Sequence, residues 1–438
     1  LEKELVGKSA AFRQAVEKVS FDSIRESIPE DSVLIDYLEY AGKGGQSLLA
    51  SVIRREGDPL LIDLGSSVKA GEAIDTWRKS FGASPEAREA GQKLRQQLWE
   101  PLSDHIEGAE LILVSTDGLL GRLPLAALPG AKLGTYLIED HHLAMLPVPM
   151  LLPSIMKERK RQQTGKLLVM GDVNYDSAAL TSGEDAAKSS TTKLAASNTR
   201  GDLTWPALSE TGREVDFIRD LYRKTRDVDE DSVIELRADA ATEAAFHSAA
   251  PECQLLHLAT HGFFAAADKK NAMSPSVIAE SRGATERSGM LGDQRDVVAG
   301  FSPGQLSGLV FAGANRSPEP TEPLSTTKPA DDGIMTADEI AYLPLAGVEM
   351  AVLSACETGL GEVAGGEGLI GIQRAFQVSG VDSVVATMWK VDDTMTRKLM
   401  ERFYRNLLEK KMSKLDALRD AQLWVLNNPS LVSESDDD

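Results

Sequence analysis

The sequence predicts an α/β protein of two units, each a mostly parallel sheet with helices on both faces. Three observations carry this reading. Strand-like and helix-like patterns alternate along the chain, the layout starts again near residue 160, and 438 residues are more than one core usually fills.

Residues 1–28 read as helix. The chain opens "LEKELVGKSAAF" without an initiator Met, so this helix is expected to be the remnant of an upstream helical region. Pro29 and the acidic turn after it stop the helix, and the first unit is expected over residues 29–155. Its strands are "VLIDYLEY", then "SLLASVIRR" beyond the Gly-rich turn "GKGG", with "PLLIDLG" as a neighbour. Residues 67–105 carry two helical patterns, the second "SPEAREAGQKLRQQLWEPL". A buried strand and turn follow in "AELILVSTDGLLGRLPLAALPG", and "YLIEDHHLAMLPVP" closes this half.

The second unit is expected over residues 160–430. "GKLLVMGDV" reads as a strand and "SETGREVDFIRDLYRK" as a helix with Val215, Ile218 and Leu221 on one face. "SVIELRADAATEAAFHSA" reads as a strand followed by a helix. Then come "CQLLHLATHG", "GVEMAVLSACETG", "LIGIQRAFQVSG", "VDSVVATMWKV" and a long helix from about Thr394. Two stretches interrupt the rhythm, residues 176–204 and 265–335, both rich in Ser, Gly or charge and both expected to be long mobile loops. The tail "SESDDD" reads as a solvated acidic end.

Composition narrows the function classes. A net charge of −20 opposes attraction to phosphate backbones, so nucleic acid is not an expected partner. No apolar run approaches the roughly 20 residues of a membrane span, so no membrane partner is expected either. Cys253 and Cys356 are the only two cysteines, too few for a disulfide framework and in keeping with a cytoplasmic location.

Reactive groups in a parallel α/β sheet collect where strands end. The strand-like run Leu255–Thr260 puts His261 and Gly262 at its exit, and "VEMAVLSA" puts Cys356 at another. Cys356 is therefore the candidate nucleophile and His261 the group that generates or pairs with its thiolate. Gly262 lacks a Cβ, so its N–H suits a tight oxyanion hole, with the Cys356 N–H as the second donor. His257 lies mid-strand and reads first as a satisfied core residue, although period 2 puts it on the face of His261, where it could support the site from below. Cys253, at the start of the strand, reads as core packing.

Other chemistries fit less well. A zinc site from His257, His261 and Cys356 would need a helical segment to bring i, i+4 histidines together, and no HExxH or CxxC accompanies them, so no metal is expected. Gly366, Gly368 and Gly371 spell GxGxxG, but too far beyond the preceding strand for a dinucleotide turn; a mobile glycine loop flanking the cleft is the better reading, and no cofactor is expected. Asp392 and Asp393, following Trp389 at a further strand exit, could meet a basic substrate side chain. The competing reading for the two aspartates is a helix start with Asp as N-cap.

Together "HLATHGFF", "LSACETGLGE", "GGEGLIGIQRAFQVSGVDSVVATMWKVDD" and "DGLLGRLPLAAL" resemble the CHAT domain, a branch of the caspase- and separase-like cysteine peptidases, over roughly residues 30–428. The resemblance implies a caspase-like three-layer α/β/α fold, with a pseudo-peptidase first half and an active second half. It matches His261 and Cys356 to the family's dyad and Gly262 to its oxyanion glycine. It also implies a regulated, site-specific endopeptidase acting on a protein substrate, under an activating sensor region or partner, as in several members that serve bacterial defence. The long loop 265–335 is then a candidate latency switch. A catalytically idle caspase-like scaffold is the competing expectation.

Overall fold

The computed structural model describes residues 19–42, 45–157, 165–177, 204–264, 304, 307–316, 332–354, 365–388 and 391–428. The expected helix before residue 19, most of both long interruptions and the acidic tail lie outside the described residues. The chain divides into two compact units, Leu1–Leu120 with Leu125–Lys160, and Gly121–Pro124 with Arg161–Asp438.

In the first unit, helix α1 (Phe21–Ser27) starts at Ser20, whose hydroxyl accepts the Ser23 N–H. Strands β1 (Ser32–Gly42), β2 (Gly45–Ile53) and β3 (Leu60–Ser66) follow as an antiparallel meander. Helices α2 (Ser67–Arg78) and α3 (Pro85–Leu98) are both capped by a serine, Ser66 and Ser84. Pro85 at the first position of α3 gives up an N–H that the helix would leave unpaired anyway. The two helices meet closely: a Cβ on Gly91 would lie 3.2 Å from Trp77 Cδ1, so the glycine makes room for the indole. Strands β4 (Leu111–Ser115) and β5 (His142–Leu146) complete a five-stranded sheet of order β3-β2-β1-β4-β5. Only β1–β4 and β4–β5 are parallel. The first unit is thus half antiparallel, because short turns join β1, β2 and β3 where a parallel pair would need a crossover.

The second unit holds a five-stranded sheet that is parallel throughout. Its elements in chain order are β6 (Leu167–Val173), α4 (Thr211–Arg226), β7 (Val233–Ala238), α5 (Glu243–Ala249) and β8 (Leu255–Leu258). Then come β9 (Gly262–Phe264), β10 (Ser307–Val310), β11 (Ile334–Thr336), α6 (Ala337–Ala341) and β12 (Met350–Leu353). Helix α7 (Gly365–Val378), strand β13 (Ser383–Ala386) and helices α8 (Asp393–Leu408) and α9 (Lys414–Leu426) end it. The large sheet has the order β13-β12-β8-β6-β7, and β9, β10 and β11 form a separate small antiparallel sheet.

Each face of the large sheet has its own apolar layer, as strands buried on both sides require. One layer joins Leu167, Val169, Leu255 and Val352 to Val215, Ile218, Leu221 and Tyr222 of α4, Phe403 and Tyr404 of α8, and Ala417 and Ala421 of α9. The other joins Leu168, Leu256 and Leu258 to Phe246 of α5, Ile340 of α6 and Phe376 of α7. Burying each such Leu or Phe side chain stabilises the unit by about 1.5–3 kcal/mol relative to exposure. This is the α/β/α sandwich expected for the second half. The approach of α4 to β6 needs Gly171, where a Cβ would come within 2.8 Å of the Thr211 carbonyl.

Three expectations change. The stretch 265–335, expected as one long loop, holds β10 and the first two residues of β11. The strand carrying the histidines ends at Leu258, short of Thr260, and His261 precedes a new strand in the small sheet. Gly366, Gly368 and Gly371 all lie within α7, which begins at Gly365, so these glycines are helical and do not form a loop.

Candidate active site

The strand order of the second unit reverses between β6 and β8. The chain steps from β6 outward to β7, returns to β8 on the other side, and continues to β12 and β13. A crevice at the carboxyl ends of the strands opens at such a reversal. Tyr175 follows β6 by two residues, His261 follows β8 by three, and Ser354 directly follows β12. Cys356, two positions after Ser354 in sequence, lies outside the described residues, as does Trp389.

His261 is fully buried and held on several sides. Its Nε2 lies 2.7 Å from the carbonyl oxygen of Pro206. A carbonyl only accepts, so Nε2 carries the hydrogen and donates, which leaves Nδ1 as the basic nitrogen of the neutral ring. The Tyr175 ring packs against the imidazole at a centroid distance of 5.0 Å, and the Trp205 indole meets it edge-on at 6.5 Å. Backbone bonds tie the histidine to the small sheet, with the Val310 N–H donating to the His261 carbonyl at 2.9 Å.

The neighbouring Thr260 and Tyr175 form a short chain of hydrogen bonds. Thr260 Oγ1 donates to the Val310 carbonyl at 2.5 Å, so it receives the hydrogen of the Tyr175 hydroxyl 3.0 Å away. Burial pushes the Tyr175 phenol up to about 12, and the nearby carboxylate of Asp393 adds to the push. Tyr175 is therefore a neutral donor at ordinary pH, shaping one wall of the histidine site. Gly262 is buried and pairs with Leu309 across the antiparallel ladder.

His257 does not share the face of His261. Its β-ladder partners Val169 and Val352 belong to the α4/α8 layer, and its ring meets Tyr404 of α8, whereas Tyr175 and Trp205 around His261 belong to the opposite layer. Period 2 fails here because extended pairing stops at Leu258 and the chain turns out of the sheet before His261. The two rings therefore cannot converge on one metal ion. Among the described residues no group of three or more His, Cys, Asp and Glu side chains is placed to hold a metal.

The remaining expected residues separate by role. Asp392 caps α8, its carboxylate accepting the Met395 N–H at 2.9 Å, while Asp393 opens the first turn and reaches Tyr175 electrostatically. Cys253 is buried, its thiol donating to the Ala249 carbonyl at 3.4 Å and pushed up to about 12 by desolvation, so it packs and does not react. Sequence reading missed Tyr175, Trp205, Pro206 and Asn315. The one visible signal was "LTWPAL", where a tryptophan and a proline end the low-complexity stretch just before a helix.

The mixed α/β fold with its parallel-rich sheets is consistent with the caspase-like class. The chain belongs to the CHAT domain family of caspase-like cysteine peptidases, whose family model matches residues 88–436. The match starts inside α3, well past residue 30, so β1 to β3 and α2 precede it. No curated protein matches the sequence. Among the described residues no helix is long and apolar enough to cross a membrane.

Proposed function

We propose that the chain is a site-specific cysteine endopeptidase that cleaves a partner protein through a Cys356–His261 dyad. The observation that carries this reading is the Nε2–H bond from His261 to the Pro206 carbonyl, in a chain of a cysteine peptidase family. That bond presents a basic Nδ1, the form a general base for a thiol requires.

In this mechanism the Cys356 thiolate attacks the scissile carbonyl, and His261 holds the thiol proton as imidazolium. The N–H groups of Gly262 and Cys356 stabilise the oxyanion, one such donor being worth about a hundredfold or more in rate. Collapse forms the acyl-enzyme as His261 gives its proton to the leaving amine, and water then attacks the thioester with His261 as base. Asp392 and Asp393 are assigned to meet a basic substrate residue, the Asp392 carboxylate serving also as the cap of α8. Trp389 is assigned to the same pocket. The first unit is a pseudo-peptidase half in this reading, and a sensor region or a partner protein activates the second.

Incubating the chain with a panel of candidate partner proteins, beside Cys356→Ala and His261→Ala variants, tests the proposal. Cleavage by the wild type alone supports it. Equal cleavage by all three chains rules out this dyad, and no cleavage under any activating condition favours an idle scaffold. Full-rate cleavage by the purified chain alone would rule out the activator.

A further inference from the structure

Asn315, in the turn after β10, uses every group of its amide. Its Oδ1 accepts the Trp205 N–H at 2.7 Å, while Nδ2 donates to the Trp205 carbonyl at 3.0 Å and to the Asp176 carboxylate at 2.9 Å. Its backbone N–H donates to the Tyr175 carbonyl at 2.9 Å. The amide orientation is fixed by these partners, since the Trp205 N–H needs an acceptor and both Nδ2 hydrogens face oxygens. One residue thus ties down both aromatic walls of the His261 site.

Pro206 is the next residue after Trp205, and its carbonyl accepts the His261 Nε2–H. Pro206 is exposed and, as a proline, has no N–H of its own to anchor it. The two-point clamp of Asn315 on Trp205 is what fixes the peptide leading into it. When His261 takes the thiol proton, its bond to Pro206 becomes charge-assisted and favours the imidazolium.

We propose that Asn315 is a positioning residue for His261: through the Trp205–Pro206 segment it holds the carbonyl that fixes the imidazole and favours its charged form. This rests on the Cys356–His261 reading above. Its bonds among the described residues go to Trp205, Asp176 and Tyr175, so it acts on His261 through the segment it clamps.

The test is the pH dependence of iodoacetamide modification of Cys356, followed by peptide mass spectrometry on the full chain, which needs no substrate. In the wild type the midpoint should lie well below the free thiol's value of about 8.5. In Asn315→Ala it should rise by about one pH unit, giving roughly tenfold slower modification at pH values below the wild-type midpoint. Asn315→Ser retains a polar group that cannot accept from and donate to Trp205 at once, and should behave alike. Thermal melts establish that each variant is folded. A wild-type midpoint in both folded variants overturns the proposal, as does failure of both to fold, which would make Asn315 a residue of the fold alone. If instead the wild-type midpoint is ordinary and His261→Ala leaves it unmoved, the dyad reading itself fails and this proposal with it.

Discussion

Glu214 Oε1 lies 3.0 Å from His257 Nε2 between β8 and α4, and both side chains are almost wholly excluded from water. The other ring nitrogen, Nδ1, is 3.2 Å from the Tyr404 hydroxyl of α8. Burial and then the charge of Glu214 hold the Tyr404 phenol well above its ordinary range, so it stays neutral. Close as they are, Glu214 Oε1 and His257 Nε2 lack hydrogen-bond alignment and find no other partner among the described residues. His257→Ala would leave the buried Glu214 side chain without its polar neighbour, and the expected cost is about 1–3 kcal/mol. Urea unfolding measures it, and a loss under 1 kcal/mol would show the pair to be of little consequence.

Tyr175 sets an alkaline limit. Its phenol is raised by burial from 10.0 to about 12, so the folded chain holds this proton more tightly than the unfolded one. That contribution to stability is fully present below pH 10 and is lost as pH rises towards 12, amounting to about 2 kcal/mol. Tyr175→Phe should therefore show a shallower fall in denaturation midpoint across this window than the wild type. Identical slopes would argue against a buried phenol.

Native-state labelling should distinguish the two cysteines. At pH 8 Cys253, with its thiol pushed up to about 12 by burial, should stay unmodified by iodoacetamide until the chain unfolds. Labelling of Cys253 at the rate of a free thiol would contradict its place in the core.

Asp392 offers a clean separation of capping from substrate binding. Asp392→Ser keeps an N-cap oxygen and should retain stability within a few tenths of a kcal/mol, whereas Asp392→Ala should cost about 1 kcal/mol. If Asp392→Ser keeps stability but loses cleavage, the carboxylate has a role in the substrate pocket beyond its bond to Met395.

Gly171→Ala should destabilise by about 1–3 kcal/mol, because its Cβ would press on the Thr211 carbonyl and Val215 Cγ2, each 2.8 Å away. A neutral thermal melt would show that α4 can move off β6 at little cost.

Hydrophobic patterning made much of the fold legible. The stripe Val215, Ile218, Leu221 is the buried face of α4, and "PLLIDLG" pairs beside the second strand as its composition indicates. Patterning also set limits. The run Leu255–Thr260 looks like one strand, yet the ladder stops at Leu258, since the next residues turn to begin another sheet. The antiparallel start of the first unit was hidden for a similar reason: strand propensity says nothing of direction.

The candidate site divides along chemical lines. His261, Gly262 and Cys356 could be named as candidates from sequence because their side chains, or the lack of one, suit that chemistry at expected strand exits. Pro206 was invisible because it acts through a main-chain carbonyl, which every residue possesses, and Asn315 because its partners lie 110 and 139 positions away in sequence. Only the folded chain reveals which carbonyl faces which imidazole.

The central claim is proteolysis by Cys356 and His261, and its most direct test is to map the new protein termini formed when candidate partner proteins are incubated with wild type, Cys356→Ala and His261→Ala. New termini with the wild type, absent from both variants and sharing one residue type before the cut, are the expected result. The same termini at equal yield from either variant would contradict it.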